Sequence, residues 1–585
     1  MSKIMNIHTP LIVFSALLLL GAAGSEVACP GINVGDYEPQ IAIFEPADAA
    51  SFAAGTEITF KGSAKNMYGQ AQSLTTVTWN SDVDDEFGTG NFAENWETEL
   101  KYADLSTGAH TITAVMRSDN GTMSAQSSIT ITITGGAEGE GEGEGEGEGE
   151  GEGEPVVVVF NDEILELGVR NAIGMLTGDI MSTDLVGTGF TYLATGGNGI
   201  TDLTGLEYCT DLLELHLGNN EITDLSPISG LTDLYALSLH ANQISDISPL
   251  QGLTNLTGLY LYNNQLVDIN DLANLTELDV LSVANNFITD ISVVANLTAL
   301  TVLNLGGNQF SDISPVAGLT DLIELYCQGL LITDISALAN LTDLTTLYME
   351  NNLIDDISVL QNLTALTELS AWDNLISDIG PLLELTSLTG IDLDDNNISS
   401  ISGLGALTNL TVLHMQENTI RSLTPIEGLT GLTELYLGDN QIDDIALLSG
   451  FTNLTELSLW DNEIDNSDVT VIGGLTGLTV LGLGENSISD ITPLQTLTNL
   501  VNLYLEDDDL TDISVLQGLS NLDYLDIQYN NVTDITALVN NTGIDDGDTI
   551  DLTGNPLAIQ ASCTEIPALE ARGVDVIHDS VCPGG

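Results

Sequence analysis

Aromatic and acidic side chains recur at fixed places on a 22-residue grid marked by Asn220, Asn242, Asn264, Asn286, Asn308, Asn352, Asn374, Asn396, Asn418, Asn440 and Asn462. Two or four places before a grid position stand Tyr260, Tyr262, Tyr326, Tyr348, Trp372, Asp392, His414, Tyr436, Trp460 and Tyr504. Glu324, Glu350, Glu368, Asp373, Asp394, Asp395, Glu434, Glu456, Asp461 and Glu506 lie among them. Aromatics are only 5% of the chain, so their return to the same columns is a pattern rather than background. Large rings on a rigid strand give contact area at little entropic cost, as binding hot spots do. The ten residues are therefore candidate ligand-binding positions, with a protein as the expected ligand. Carbohydrate is the alternative, since aromatic platforms also stack sugars. A plainer reading is that Tyr and Trp are good strand residues that cover their cross-strand neighbours.

Other chemistry has less to stand on. His216 and His240 fall on adjacent repeats, but no Cys or His spacing suggests zinc, and no nucleophile elbow or phosphate loop is present. A glycosidase would need two carboxylates set apart by burial, which an open sheet does not provide. No catalytic residue, no metal site and no cofactor are assigned. Calcium is the one ion that acidic runs such as Asp507, Asp508 and Asp509 would suit, because its ligands are hard oxygens.

The grid dictates the elements. Each unit reads LxxLxLxxNxIxDIxxLxxLTx, as in Leu256, Leu259, Leu261, Asn264, Leu266, Asp268, Ile269, Leu272 and Leu275. A period of 20–29 with this pattern marks leucine-rich repeats. The expected fold class is an α/β solenoid, a leucine-rich repeat horseshoe or arc with a parallel β-sheet on its concave face. A small all-β sandwich is expected to precede it. LxL forms a short strand with its leucines inward, and the asparagine amide bonds backbone groups of adjacent turns. Ser248-Pro249-Leu250 and Thr492-Pro493-Leu494 place a hydroxyl before a first-turn proline, which favours a short helical turn on the convex side. The column Asp224, Asp246, Asp268, Asp290, Asp312, Asp334, Asp356 and Asp378 is expected to cap those turns. Leu330 and Asp508 break the ladder, and two extra residues lie between Asn462 and Asn486.

In chain order, residues 1–24 carry Lys3, an apolar stretch and Ala22, Ala23 and Gly24, which reads as a signal peptide. The protein is expected to be exported, secreted or on the outer surface of a bacterium. Cys29 follows Glu26, Val27 and Ala28 in an order that resembles a lipoprotein cleavage site, with Glu26 where an aliphatic residue is expected. Lipidation at Cys29 and free secretion both remain open. No later apolar run is long enough to cross a membrane. Residues 30–136 alternate apolar and polar positions, as at Ile58/Phe60, Val77/Trp79 and Ile129/Ile131/Ile133, and read as a β-sandwich. Residues 137–155 contain strict Gly-Glu alternation, an extended acidic linker. Residues 156–197 form an N-terminal helical cap, started by Asn161 or Asp162 and burying Ile164, Leu167 and Ile173. Residues 198–555 form about 16 turns, and 556–585 a C-terminal cap. Cys563 and Cys582 flank that cap and could close one disulfide, whereas Cys209 and Cys327 read as buried small hydrophobes.

The stretches TVTWNSDVDDEFGTG and LSTGAHTITAVMRSDNG resemble bacterial immunoglobulin-like and PKD-type domains. The form NNQIxDISPLxxLTxL, together with GLEYCTDL and the tail NPLAIQ and IPALEARGVDVI, resembles the internalin-type leucine-rich repeats of bacterial surface proteins over residues 160–580. That resemblance implies a concave sheet face that binds a partner protein.

Charge sets further bounds. Eight Lys and Arg stand against 86 Asp and Glu, a formal net charge of −78. Such a field repels nucleic acid and anionic membranes and favours cations and basic partners. An envelope component that binds cations without a specific ligand is a third reading.

Overall fold

The computed structural model describes residues 155–582 except Asn198, together with the strand backbones between Gln40 and Thr134. Residues 1–24, expected to be a signal peptide, Cys29 and the Gly-Glu stretch expected to be a linker lie outside the described residues. Strands Gln40–Glu45, Ile58–Lys65 and Glu97–Tyr102 pair antiparallel in one sheet. Ser51–Ala53, Met123–Thr134, Gly108–Ser118, Leu74–Ser81 and Asp85–Gly90 pair, in that order, in another. The alternating runs of the sequence all fall on these strands.

The chain divides at Leu266/Val267 into two compact units. In the first, helix Glu163–Ile173 is capped by Asp162, whose carboxylate accepts from Ile164 N at 3.0 Å and Leu165 N at 3.1 Å. The buried residues are Leu165 and Val169, not Ile164, Leu167 and Ile173 as expected. Gly168 accounts for the difference: a Cβ there would stand 2.1 Å from Thr195 Cγ2, so the glycine face of the helix is the one pressed against the repeats. Strands Tyr192–Ala194, Glu214–His216, Ala236–Ser238 and Gly258–Tyr260 follow in a parallel, in-register sheet.

In the second unit fourteen short strands, from Val280–Ser282 to Asp575–Ile577, continue the same pattern. Their middle residues pair in one line, Leu325 with Leu347, Leu347 with Leu369 and Leu369 with Ile391, and these four are buried completely. Burying each such side chain contributes about 1.5–3 kcal/mol. The asparagines act as cross-links between turns. Asn374 Nδ2 donates to Met349 O and Ala371 O, both at 3.1 Å, while its Oδ1 accepts from Ile354 N at 3.0 Å. Backbone groups that the three-residue strands leave over are thereby satisfied.

The far side of each repeat is mostly a single 3₁₀ turn, such as Ser336–Asn340 or Ser358–Asn362. Of the two caps expected from the sequence, the aspartate column is the one that forms and the Ser or Thr hydroxyl is not: Asp334 accepts from Ser336 N and Asp356 from Ser358 N, both at 2.8 Å, while the Ser248 and Thr492 turns have no hydroxyl cap. A carboxylate two residues ahead reaches the first unbonded N–H, as an Asx turn does. The two extra residues after Asn462 are taken up in helix Asn466–Ile472 on this side, and the strands Glu456–Ser458 and Val480–Gly482 stay in register.

The chain closes with helix Ile566–Glu570 and strand Asp575–Ile577. A disulfide joins Cys563 to Cys582 with their Cα atoms 5.0 Å apart. Arg572 Nη1 donates to Asn541 O at 2.9 Å and Ile544 O at 3.2 Å, tying the cap to the last repeat. Cys209 and Cys327 are buried and unpaired.

Candidate functional site

Strand alternation turns three rows of side chains to the solvent side of the sheet. One is the first strand residue, as in Glu324, Glu368, Glu434 and Glu456; the second is the third strand residue, as in Tyr326, Tyr348, Asp392, His414 and Tyr436. The third lies two places further on and holds Glu350, Trp372, Asp394, Gln416 and Trp460.

The structure grades the ten candidate residues by burial. Tyr326, Tyr348, His414 and Tyr436 are at most 3% exposed although they point outward, because neighbouring side chains lie over them. Tyr326 and Tyr348 meet edge to face at 5.1 Å, and the Tyr326 hydroxyl donates to Glu324 Oε2 at 2.8 Å. His414 stacks on Tyr436 with centroids 4.1 Å apart. Tyr436 donates its hydroxyl to Glu456. Trp372, Asp392, Trp460 and Tyr504 are half-buried and keep accessible surface. Tyr260 and Tyr262, also half-buried, belong to the first unit, where Tyr262 stacks on His240 at 4.6 Å.

Trp460 is held by a relay across three repeats. Its Nε1 donates to Gln416 Oε1 at 3.0 Å, and Gln416 Nε2 donates to Asp394 Oδ2 at 2.8 Å. Asp394 Oδ1 also accepts from Gln416 N at 2.6 Å. The indole is thus fixed before any ligand arrives, which removes part of the ordering cost of binding.

A further column was not separated out in the sequence. The residue just before each grid position has a left-handed backbone, with φ of 52° at Asp373, 47° at Asp395, 50° at Glu417, 45° at Asp439, 45° at Asp461, 55° at Glu485 and 50° at Asp507. On seven consecutive repeats that residue is acidic. The enrichment in Asn, Asp and Gly just before the ladder was its signal, since these types tolerate positive φ. Burial and the charges of neighbouring column members raise Asp395, Glu417, Asp439 and Glu485 above the usual carboxylate range.

Along the strand rows burial dominates. It raises Glu350, Glu434 and Glu506 to about 7 and Asp394 to about 6, and it lowers His414 to about 3. Asp392 is raised too, by burial and by the charge of Asp394. No basic side chain relieves this: between Arg170 and Arg572 the chain has one Lys or Arg, Arg421, exposed and bonded to Gln441. The acidic run Asp507, Asp508 and Asp509 does not converge on one point. Asp508 is buried at the ladder position, whereas Asp507 and Asp509 are exposed.

Comparison with known proteins bears on the repeats. Residues 232–274, 276–318, 320–362, 364–406, 386–429, 408–450 and 430–472 match a family model described as leucine-rich repeats in two copies, and residues 452–510 match a second leucine-rich repeat model. No curated protein matches the chain. Among solved structures, an internalin of Listeria monocytogenes is 36% identical, with 60% of this chain and 96% of that one covered and a TM-score of 0.49. A leucine-rich repeat protein of Leptospira interrogans is 24% identical over 66% of this chain and 94% of that one, with a TM-score of 0.50. The functional domain of another Listeria monocytogenes internalin, which includes a cysteine ladder, is 28% identical over 67% and 81%, with a TM-score of 0.48.

Proposed function

We propose that this leucine-rich-repeat chain is an internalin-like, exported, non-enzymatic recognition protein that binds a protein ligand on the solvent side of its sheet. The signal-peptide pattern of residues 1–24 supports export, and Cys29 offers a lipid anchor. The single observation that carries the binding surface is the acidic left-handed column from Asp373 to Asp507 running beside the indoles of Trp372 and Trp460. Carboxylates without a protein counter-charge favour a partner segment that brings Lys or Arg, and the two indoles, that of Trp460 held by Gln416, supply the apolar anchor. Residues 30–136 and the Gly-Glu linker serve as a spacer that holds the repeats away from the point of attachment.

The test is a screen of the full chain against a protein array and a glycan array at two salt concentrations. A discrete protein ligand whose affinity falls with salt supports the proposal. Glycan binding that is insensitive to salt overturns it in favour of carbohydrate. Cation uptake with no discrete partner overturns it in favour of a structural envelope role.

A further inference from the structure

We propose that Asp392, Asp394 and His414 form a binding site for a divalent transition-metal ion. The sequence gives no hint of it, because the residues are two and twenty positions apart and only the strand register joins them. Asp392 and His414 are direct partners on adjacent strands, and Asp394 follows Asp392 on the same outward side. One donor atom from each of the three lies within 4.8 Å of the others, and among the described residues no other group of acidic, His or Cys side chains converges in this way.

Unused donor atoms point to a ligand. His414 is 3% exposed, and its Nε2 has no hydrogen-bond partner; Glu434 Oε2 stands 3.9 Å away. A buried ring nitrogen left unbonded costs free energy unless something occupies it. Glu350, 7% exposed on the same side of the sheet, has an unpartnered Oε2, and its charge acts on Asp392. Asp392, Asp394, His414, Glu350 and Glu434 therefore share a largely buried patch that contains no Lys or Arg. Stacking on Tyr436 fixes the plane of the His414 ring, and the two Gln416 bonds fix the Asp394 carboxylate, an outer support of the kind metal ligands commonly have.

The donor set chooses the ion. Calcium and magnesium take oxygen ligands throughout, whereas an imidazole nitrogen beside carboxylates suits zinc, manganese or iron. Bonds of about 2.1 Å require the three donors to close to roughly 3–4 Å of one another. Half-buried Asp392 has the room to make that movement, and three protein ligands leave a coordination position for water or for a group of a bound partner.

The site is tested on the full chain after chelation, by calorimetric titration with ZnCl₂, MnCl₂ and CaCl₂ in salt high enough to screen the general acidity. The expected result is one saturable site per chain for Zn²⁺ or Mn²⁺, roughly tenfold or more tighter than for Ca²⁺. His414→Gln and Asp392→Asn should each weaken it by a similar factor, while Asp334→Asn, on the turn side, leaves it in place. Thermal melts with and without metal give a second reading: the wild type should shift upward, and a folded Asp392→Asn chain should not. Zn²⁺ and Mn²⁺ binding that never saturates, or that survives both substitutions unchanged, overturns the proposal.

Discussion

The indole of Trp460 lies across Gly438, so that a Cβ on Gly438 would stand 2.0 Å from Trp460 Nε1. The same relation joins Gly306 to Gln328 at 2.5 Å and Gly484 to Glu506 at 2.3 Å. Each glycine makes room for a long side chain of the next repeat to lean back over it. Gly438→Ala should therefore displace the indole, break its bond to Gln416 and cost about 1–3 kcal/mol by overpacking. Denaturant unfolding and tryptophan emission check this together, and unchanged values in both would show that Trp460 is not seated by Gly438.

Removing one rung of the asparagine ladder should cost more than its size suggests. Asn374→Ala strands Ile354 N in a buried turn and takes one of two donors from Met349 O and Ala371 O, which keep the amides of Asn352 and Asn396. With one buried N–H left unsatisfied, the expected loss is about 1–3 kcal/mol. Hydrogen exchange should show faster opening in the repeats on either side. A loss confined to a few tenths would mean that water replaces the amide.

Asp508 gives the ladder a pH dependence. Its Oδ1 accepts from Ile488 N at 3.1 Å and Asn486 N at 3.2 Å, as an asparagine would, but its Oδ2 has no partner, and burial raises the carboxyl to about 8. The folded state holds this proton more tightly than the unfolded chain, whose carboxyl titrates near 3.9. The contribution of Asp508 to stability is therefore fully present below about pH 4 and is lost as pH rises through about 8. Asp508→Asn should raise stability at pH 9 by on the order of 3 kcal/mol and change it little at pH 4. Glu506 at about 7 and Asp526 at about 6 act in the same direction, so the wild-type melting temperature should fall between pH 5 and pH 8. A melting temperature that rises over that range contradicts the reading.

The disulfide between Cys563 and Cys582 closes a loop with a sequence separation of 19. In the chain-entropy account a loop of that size stabilises the fold by about 3 kcal/mol. Cys563→Ser with Cys582→Ser should destabilise the C-terminal cap by that order, seen first as increased proteolysis after Asn555. Equal resistance in both chains would show that Arg572 and the apolar cap suffice.

The ladder, the strands and the aspartate caps are legible in the sequence because one residue type at one place in a repeat has one job, and the disulfide because Cys563 and Cys582 flank the cap. The site was less so. Tyr326 and Trp372 look alike in the pattern as outward aromatics, yet the first is buried by its neighbours and the second is not. That difference depends on which side chains sit one strand away, and a column count does not carry it. The helix phase at Leu165 and Val169 was missed for a similar reason, since the close approach of Gly168 to Thr195 is a tertiary contact. The convergence of Asp392, Asp394 and His414 likewise exists only once the register is known.

The central claim is that a partner binds the sheet beside the acidic column. It is tested most directly by measuring the affinity of a protein ligand recovered in the array screen for three folded full-length chains: Trp372→Ala with Trp460→Ala, Asp395→Asn with Asp439→Asn, and, on the turn side, Asp334→Asn with Asp356→Asn. The account predicts a loss of roughly tenfold or more in each of the first two and wild-type affinity in the third. Wild-type affinity in the first two, or a loss confined to the turn-side pair, would contradict it.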